Sequence, residues 1–365
     1  MINIYTPNIQ KYTSSAIKAI NDGWISNLGE YTELARQELK NVIKSKYVVL
    51  TNNGTASTHC LFMSLKYKYP NIKKIYVPNN VYVAVWNCVL MEYDISNIEV
   101  LKVDLDTYNF DLNELDRLEK DSCLVIVHNT GNIIDTEYIH SKRPDLVLLE
   151  DNCEGLFGKL NNEYTGNCKY VLASSCSFYG NKIITSGEGG AFFTNDEDLY
   201  NFINKTINQG ITAKRYVHGL LGYNYRMTNI EAAFIYDQLL DINNILENKE
   251  KVFERYNNLL QPLIESKLVS KYKVNDNCKS ANWMYIIRVP NKSYNDMYTY
   301  FRENNVDTRP FFYPIHTHEH LKDLKTDDNN SELLSKECIM LPSSPSLKLE
   351  EQEYIIKILT KYITG

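Results

Sequence analysis

Short, nearly continuous apolar runs recur through the first two thirds of the chain, at residues 47–50, 75–77, 100–103, 124–127 and 146–149. Runs without polar alternation describe strands buried on both faces, and the stretches between them carry helical spacing. The pattern predicts an α/β domain with a mostly parallel sheet covered on both sides. From Asn229 the pattern changes. Ile230, Ala233, Phe234, Tyr236, Leu240 and Ile245 recur at helical intervals that continue through Val252, Tyr256 and Leu260, predicting one long helix that leads out of the sheet domain. A strand over residues 283–289, a helix over 294–304, a Pro-containing loop over 309–320 and a final amphipathic helix follow. That last helix carries Tyr354, Ile355, Ile358, Leu359 and Tyr362 on one face. The expectation is a large domain over residues 1–245 and a smaller one over 246–365.

Composition narrows the class. A chain of 365 residues, 44% hydrophobic and 23% charged, with 15 Gly and 10 Pro, is neither disordered nor fibrous. Its net charge of −6 and the lack of any Lys/Arg block argue against nucleic acid as a partner. The first residues carry no basic region followed by an apolar core, and no stretch approaches about 18 uninterrupted apolar residues, so neither export nor a membrane is expected. Eight cysteines without a C-x-x-C pair suit free thiols in a reducing compartment, the cytoplasm. The 28 tyrosines and the abundance of Asn, Ile and Lys reflect an AT-rich genome more than chemistry.

Five segments carry candidate chemistry. Asn52-Asn53-Gly54-Thr55-Ala56-Ser57 follows a strand and opens a helix, where small residues let backbone N–H groups approach a phosphate; a capped tight turn has the same look. Glu150-Asp151 ends an apolar strand at the edge where α/β sheets bind ligands, although an acid there also serves as a cap. Lys182 stands between two probable strands among small residues, in Ser177-Phe178-Tyr179-Gly180-Asn181-Lys182 followed by Gly187-Glu188-Gly189-Gly190. A lysine so placed can form a Schiff base, whereas a surface hairpin would carry an ordinary one. Asn224 and Arg226 lie on a polar loop ahead of the long helix. His316, His318 and His320 alternate in a Pro-rich loop without an accompanying Cys or acid cluster, so no metal is expected.

Taken in this order, the segments resemble the DegT/DnrJ/EryC1/StrS family of nucleotide-sugar aminotransferases, pyridoxal phosphate (PLP) enzymes of the aspartate aminotransferase fold, fold type I. The resemblance runs over nearly the whole chain, through Trp24-Ile25-Ser26, Asn53-Gly54-Thr55-Ala56, Glu150-Asp151, Ser177-Phe178 with Lys182, Asn224-Tyr225-Arg226-Met227, the Pro314/His316 loop and Leu341-Pro342-Ser343. It implies that Lys182 holds PLP as an internal aldimine and later moves the proton. Asp151 would pair with the pyridinium nitrogen. Gly54, Thr55, Ala56 and Ser177 would hold the phosphate, Tyr82 would stack on the ring, and Glu154 would complete the cofactor site. Asn224 would reach the phosphate of the other subunit's cofactor, which implies a homodimer with sites at the interface. Trp24, Ser26, Tyr179, Arg226, Tyr313 and His316 fall on positions that meet substrate.

Three positions depart from the family's habit: Val81 for Thr, Glu154 for Gln or His, and Tyr179 for His. Lys182 separates the chain from the family's deoxysugar dehydratases, which carry His there. The implied reaction moves an amino group from L-glutamate, through pyridoxamine phosphate, to a nucleotide-diphosphate keto sugar, with a 4-keto-6-deoxyhexose as acceptor and a 4-amino-4,6-dideoxy sugar nucleotide as product. Set beside the AT-rich residue usage, it suggests a giant-virus enzyme making viosamine on UDP in the host cytoplasm. The rival readings are a 3-aminotransferase of the same family and a PLP-binding regulator without turnover. A nicotinamide enzyme lacks its G-x-G-x-x-G after the first strand.

Overall fold

The computed structural model describes residues 1–324 and 326–365. Its core is a seven-stranded sheet in the order β1-β9-β8-β5-β4-β2-β3. The strands are β1 (Tyr47–Thr51), β2 (Ile75–Pro78), β3 (Ile98–Leu101), β4 (Cys123–Val127), β5 (Val147–Asp151), β8 (Ala173–Ser177) and β9 (Gly190–Thr194). Between β5 and β8 lie the short β6 (Lys159–Leu160) and β7 (Glu163–Tyr164). All ladders from β3 across to β8 are parallel, and β9 alone runs antiparallel to both its neighbours. The third expected strand lies two residues earlier than its apolar run suggested.

The helices of this part are α1 (Ser14–Asn21), α2 (Glu30–Ile43), α3 (Gly54–Lys68), α4 (Val83–Glu92), α5 (Thr136–Lys142), α6 (Glu197–Thr206) and α7 (Asn229–Leu240). Side chains leave each strand alternately to the two faces, so every apolar run fills two cores. Val48, Leu50, Ala191 and Phe193 meet α1, α2 and α7, while Val49 and Phe192 point the other way against α3 and α6. In β4, Val125 and Val127 join that second core and Leu124 and Ile126 pack with Ile139 of α5. Burying an aromatic ring such as Phe192 or Phe193 contributes about 1.5–3 kcal/mol.

The long helix anticipated from Asn229 is two helices. A capping box between Thr228 and Glu231 starts α7, and Asp241, with φ −113° and ψ 18°, separates it from α8 (Ile242–Glu265). Asp241 is drawn aside by partners far away in sequence, accepting from Lys11 Nζ at 2.5 Å and the Tyr12 hydroxyl at 2.8 Å. Beyond α8, β11 (Tyr285–Arg288), β12 (Arg309–Pro310) and β13 (Cys338–Leu341) form an antiparallel sheet in the order β11-β13-β12, and β10 (Cys278–Lys279) pairs back onto β6. The helices here are α9 (Tyr294–Glu303), α10 (Asn329–Glu337) and α11 (Leu349–Thr364). Tyr285, Ile287, Ile339 and Leu341 face a core with Val252, Phe301, Ile355 and Leu359, while Met284, Ile286 and Met340 turn toward Tyr108 and Phe311 of the opposite wall. On α11 it is Ile356 that is buried and Tyr354 that is largely exposed.

The N-terminal residues strap the two parts together. Ile2 bridges in parallel to Val306, the Ile4 carbonyl accepts from Ser343 N–H at 3.2 Å, and Thr6 N–H donates to Ser344 Oγ at 2.6 Å. No helix among the described residues is long and apolar enough to cross a membrane.

Asn229 at the start of α7 holds the segment before α2. Its Oδ1 accepts from Tyr31 N–H at 2.9 Å, its Nδ2 donates to the Trp24 carbonyl at 2.6 Å, and its own N–H donates to Ser26 at 2.8 Å. Gly29 passes so close that a Cβ there would lie 2.0 Å from Asn229 Cγ. Asn229→Ala strands a buried N–H and a half-buried carbonyl and should lower stability by about 2 kcal/mol. The denaturation midpoint measures this, and an unchanged midpoint would contradict it.

Candidate active site

Gly54 opens α3 directly after β1, with Asn53 as its cap: the Asn53 side chain accepts from Ala56 N–H at 2.8 Å. The N–H groups of Gly54 and Thr55 cannot pair inside the helix and carry its positive end, so they are available to an anion. Ser177, the last residue of β8, abuts them. A Cβ on Gly54 would lie 2.6 Å from Ser177 Cβ and 2.8 Å from its Oγ, so only glycine permits this approach. Helix terminus and hydroxyl together make a phosphate-sized cradle.

Three acids stand at the end of β5 with three different fates. Asp151 is buried and lines the cleft beside the cradle; its Oδ1 accepts from Cys153 N–H at 2.9 Å and its Oδ2 from the Thr58 hydroxyl at 3.3 Å. Glu150 points to the other face of the sheet. Burial pushes its carboxyl up, but a 3.0 Å hydrogen bond from His128 Nε2 and one of 3.0 Å from Gly166 N–H outweigh burial and hold it below the usual range. His128 Nδ1 accepts from Ile134 N–H at 3.1 Å, which leaves Nε2 to donate. Glu154 is buried too, and its one hydrogen-bond donor among the described residues is Thr130 N–H at 2.7 Å. Desolvation pushes it up to about 7, against the opposing pull of the Lys182 charge and the Thr130 N–H.

Lys182 sits in the loop that connects β8 to β9. Its N–H turns back to the Tyr179 carbonyl at 2.8 Å, and its carbonyl accepts from the Tyr5 hydroxyl at 2.9 Å. Its Nζ lies 4.2 Å from the centroid of the Trp283 ring, and Trp283 Nε1 donates to the neighbouring Asn181 carbonyl at 3.0 Å. The amine therefore faces an indole among small residues, within the same cleft as Asp151 and the cradle.

That cleft has a volume of about 830 Å³. It brings together Gly54, Thr55, Ala56, Tyr82, Asp151, Glu154, Ser177, Tyr179, Lys182 and Tyr313 of the anticipated residues. An anion cradle, a carboxylate at the far side, an amine and an exposed aromatic face are the donor set that PLP requires, and the residues present fit it. Trp24, Ser26, Asn224, Arg226 and His316 are not among the residues lining it. Trp24 flanks a separate hollow with Leu28, and the backbone of Arg226 pairs with Thr51 and that of Asn224 with Asn208. His316 Nε2 meets Glu332 at 3.1 Å and His320 Nε2 meets Asn87 at 2.8 Å; His318 is the histidine of that loop that reaches the cleft. Thr58, Trp283 and His318 also line the cleft, although no sequence motif marked them as cofactor or substrate residues. Thr58 lies one turn beyond Gly54, a helical spacing that points both toward the sheet edge, and this was the one available signal.

The DegT/DnrJ/EryC1/StrS aminotransferase family profile matches residues 8–360. The chain is 30% identical over 380 residues to the GDP-perosamine synthase of Vibrio cholerae, covering 99% of both chains. Among solved structures it is similar to a DegT DnrJ EryC1 StrS aminotransferase from Brucella abortus, with a TM-score of 0.85, 22% identity and coverage of 98% of this chain and 96% of that one. It is also similar to the E. coli GDP-4-keto-6-deoxy-D-mannose-3-dehydratase with bound hydrated PLP, with a TM-score of 0.88, 18% identity and coverage of 98% and 99%.

Glu154 binds its proton more tightly in the fold than in the unfolded chain, since its ordinary value of 4.5 rises to about 7. Its contribution to stability is therefore fully present below about pH 4.5 and is lost as pH rises through about 7. Glu154→Gln keeps the acceptor for Thr130 and removes the titration. Between pH 5 and 8 the cofactor-free wild type should lose on the order of 3 kcal/mol relative to the variant, measured by denaturant titration. Parallel pH profiles for the two proteins would contradict this.

Proposed function

The chain belongs to the DegT/DnrJ/EryC1/StrS aminotransferase family, and we propose that it transfers the amino group of L-glutamate to a nucleotide-linked 4-keto-6-deoxyhexose. It is a PLP-dependent sugar aminotransferase. The observation that carries the proposal is that Lys182 opens onto one cleft with the Gly54–Ser177 cradle and Asp151. PLP, when bound, supplies an electron-accepting ring that lets a carbon bearing the amino group release its proton.

The chain's own residues do the rest. The free N–H groups of Gly54 and Thr55, with the Ser177 hydroxyl, would bind the phosphate, while Ala56, whose N–H is taken by the Asn53 cap, lines the cradle beside them. Asp151 would accept from the ring nitrogen and keep its proton there, and Tyr82, more than half exposed and lining the same cleft, would cover the ring face. Lys182 would hold the cofactor at its aldehyde, carry the proton from the amino donor's α-carbon and return one to the sugar carbon. Glu154, titrating near neutrality, lines the same cleft and can take up or release a proton there. Glutamate leaves as 2-oxoglutarate, and its nitrogen ends on C4 of the sugar. Tyr179, Tyr313 and the loop of His316 line or border the sugar's side.

The active unit in this reading is a homodimer. Asn224 and Arg226 lie outside their own cleft, which supports a role for Asn224 at the partner's phosphate. Leu221 at 83% exposure, Tyr216 at 79% and Leu28 at 76% leave large apolar side chains for a second copy to cover. All eight cysteines are free thiols, which suits the reducing cytoplasm.

Purified enzyme loaded with PLP should lose the cofactor's visible absorbance on addition of L-glutamate, releasing one 2-oxoglutarate per site, and regain it on addition of the acceptor. Because the Vibrio cholerae relative is a GDP-perosamine synthase, the GDP-linked 4-keto sugar is the first acceptor to try, followed by the UDP- and dTDP-linked ones. Lys182→Ala should lower turnover by more than ~10²-fold. Absorbance that persists with glutamate would mark a PLP-binding regulator, and amination confined to 3-keto sugars would mark a 3-aminotransferase.

A further inference from the structure

Thr58 occupies the second turn of α3, where a threonine hydroxyl usually bonds back to the carbonyl four residues earlier. Here that acceptor, the Gly54 carbonyl, is taken by Ser57 Oγ at 2.8 Å, and Ser57 also reaches the Cys176 carbonyl at 2.7 Å. The Thr58 hydroxyl turns into the sheet edge instead. It lies 3.3 Å from Asp151 Oδ2 and 3.1 Å from Ser175 Oγ, with Cys153 Sγ at 3.8 Å as a weaker neighbour. Thr58 is 1% exposed, Ser175 0% and Asp151 5%, so water does not substitute for any of these contacts.

The direction of the chain of hydroxyls follows from valence. A carboxylate only accepts, so the Thr58 proton points at Asp151 Oδ2. The Thr58 oxygen is then free to accept, and Ser175 Oγ, which has no other partner among the described residues, donates to it. Ser175 is the register partner of Asp151 across the β5–β8 ladder, so the three groups are fixed by the sheet and the first turns of α3. With Cys153 N–H on Oδ1, each carboxylate oxygen holds one donor and keeps one lone pair. Two donors of this kind spread the charge and fix the carboxylate plane.

We propose that Thr58, backed by Ser175, is a positioning residue that aims Asp151 at the cofactor's ring nitrogen and weakens its competition for the proton there. This rests on the assignment of Asp151 to the ring nitrogen. Without the Thr58 hydroxyl, charge concentrates on Oδ2, the shared proton moves from the ring toward the carboxylate, and the ring withdraws electrons less well. Thr58 lines the cleft but is only 1% exposed, and Ser175 is 0% exposed, so neither offers the substrate a polar contact. The effect therefore falls on the cofactor's electronic state and on kcat, with the KM for glutamate little changed.

The test uses the PLP-loaded enzyme. Thr58→Val preserves the shape of the side chain and removes the hydroxyl; it should weaken PLP binding and lower kcat by roughly tenfold each, the loss of one hydrogen bond to a charged group. The nitrogen chemical shift of isotope-labelled PLP should show a smaller protonated fraction at neutral pH, and Thr58→Ser should restore all three readouts. Ser175→Ala should move the nitrogen shift in the same direction by less, and it decides the question if Thr58→Val does not fold. A nitrogen shift and PLP affinity equal to wild type in the folded variants would overturn the proposal, as would a folded Thr58→Ser that restores nothing. Asp151→Asn separates the two levels. If it abolishes the protonated signal while Thr58→Val leaves it intact, only the hydroxyl chain is wrong; if it too has no effect, the assignment of Asp151 fails.

Discussion

The carboxyl ends of β1 and β8 are held apart by the backbone of one residue. Gly190, at the start of β9, pairs with Thr51 on one side and Ser177 on the other, and a Cβ there would lie 2.7 Å from both the Asn53 and the Cys176 carbonyls. Only a bare backbone fits, and the sheet closes tightly because of it. The consequences spread outward. Closure brings the start of α3 against Ser177, and this contact builds the anion cradle. Because β9 runs antiparallel, the connection from β8 must double back at the same edge, and that short return loop is what carries Lys182 to the cleft. A longer side chain at residue 190 would separate the cradle from the lysine in one step.

The electrostatics of the site follow from which face each residue of β5 addresses. Glu150 and Asp151 are adjacent, so a strand's alternation sends them to opposite faces. Glu150 meets His128 and a backbone N–H on its side and becomes a settled charge that braces the ends of β4 and β5. Asp151 faces the cleft with donors on both oxygens and lone pairs to spare. Glu154, beyond the strand, finds one N–H and little else, and burial then dominates. One fixed structural charge, one directed acceptor and one group able to change state within the working pH range thus come from five consecutive residues.

Much of this was legible in the chain's own pattern, for local reasons. The doubly buried strands announced themselves as unbroken apolar runs, and the small residues from Gly54 to Ser57 marked a helix start whose free N–H groups are a local property. Asp151 was legible because strand ends are where such sheets bind. What escaped depended on distant partners. Nothing in Ala191-Phe192-Phe193 states that β9 runs against its neighbours, since a fully buried strand has the same composition in either direction. The break falls at Asp241, whose side chain meets Lys11 and Tyr12, more than two hundred residues earlier, as well as nearby Asn244, while the helical spacing runs through it undisturbed. The strand Cys338–Leu341 is four residues long between a helix and a proline, too short for periodicity to distinguish. Thr58 reads as an ordinary helical threonine until the strand that receives its hydroxyl is in place.

The strap formed by the first residues also sets an order of events. Ile4 bonds to Ser343 and Ile2 to residues 305 and 307, and through Tyr5 the same segment holds the backbone of Lys182. Residues 2 to 6 thus find their partners only once residues 305–307, 343 and 344 are in place. Contacts that span almost the entire sequence are the slowest to form, because the whole intervening chain must be organised first. The sheet and its cradle can assemble from nearer neighbours, whereas the support behind the lysine arrives only with the C-terminal strand. Loss of the contacts near residues 305 and 343 would leave the cradle's local partners in place and free the segment that holds Tyr5 behind the lysine.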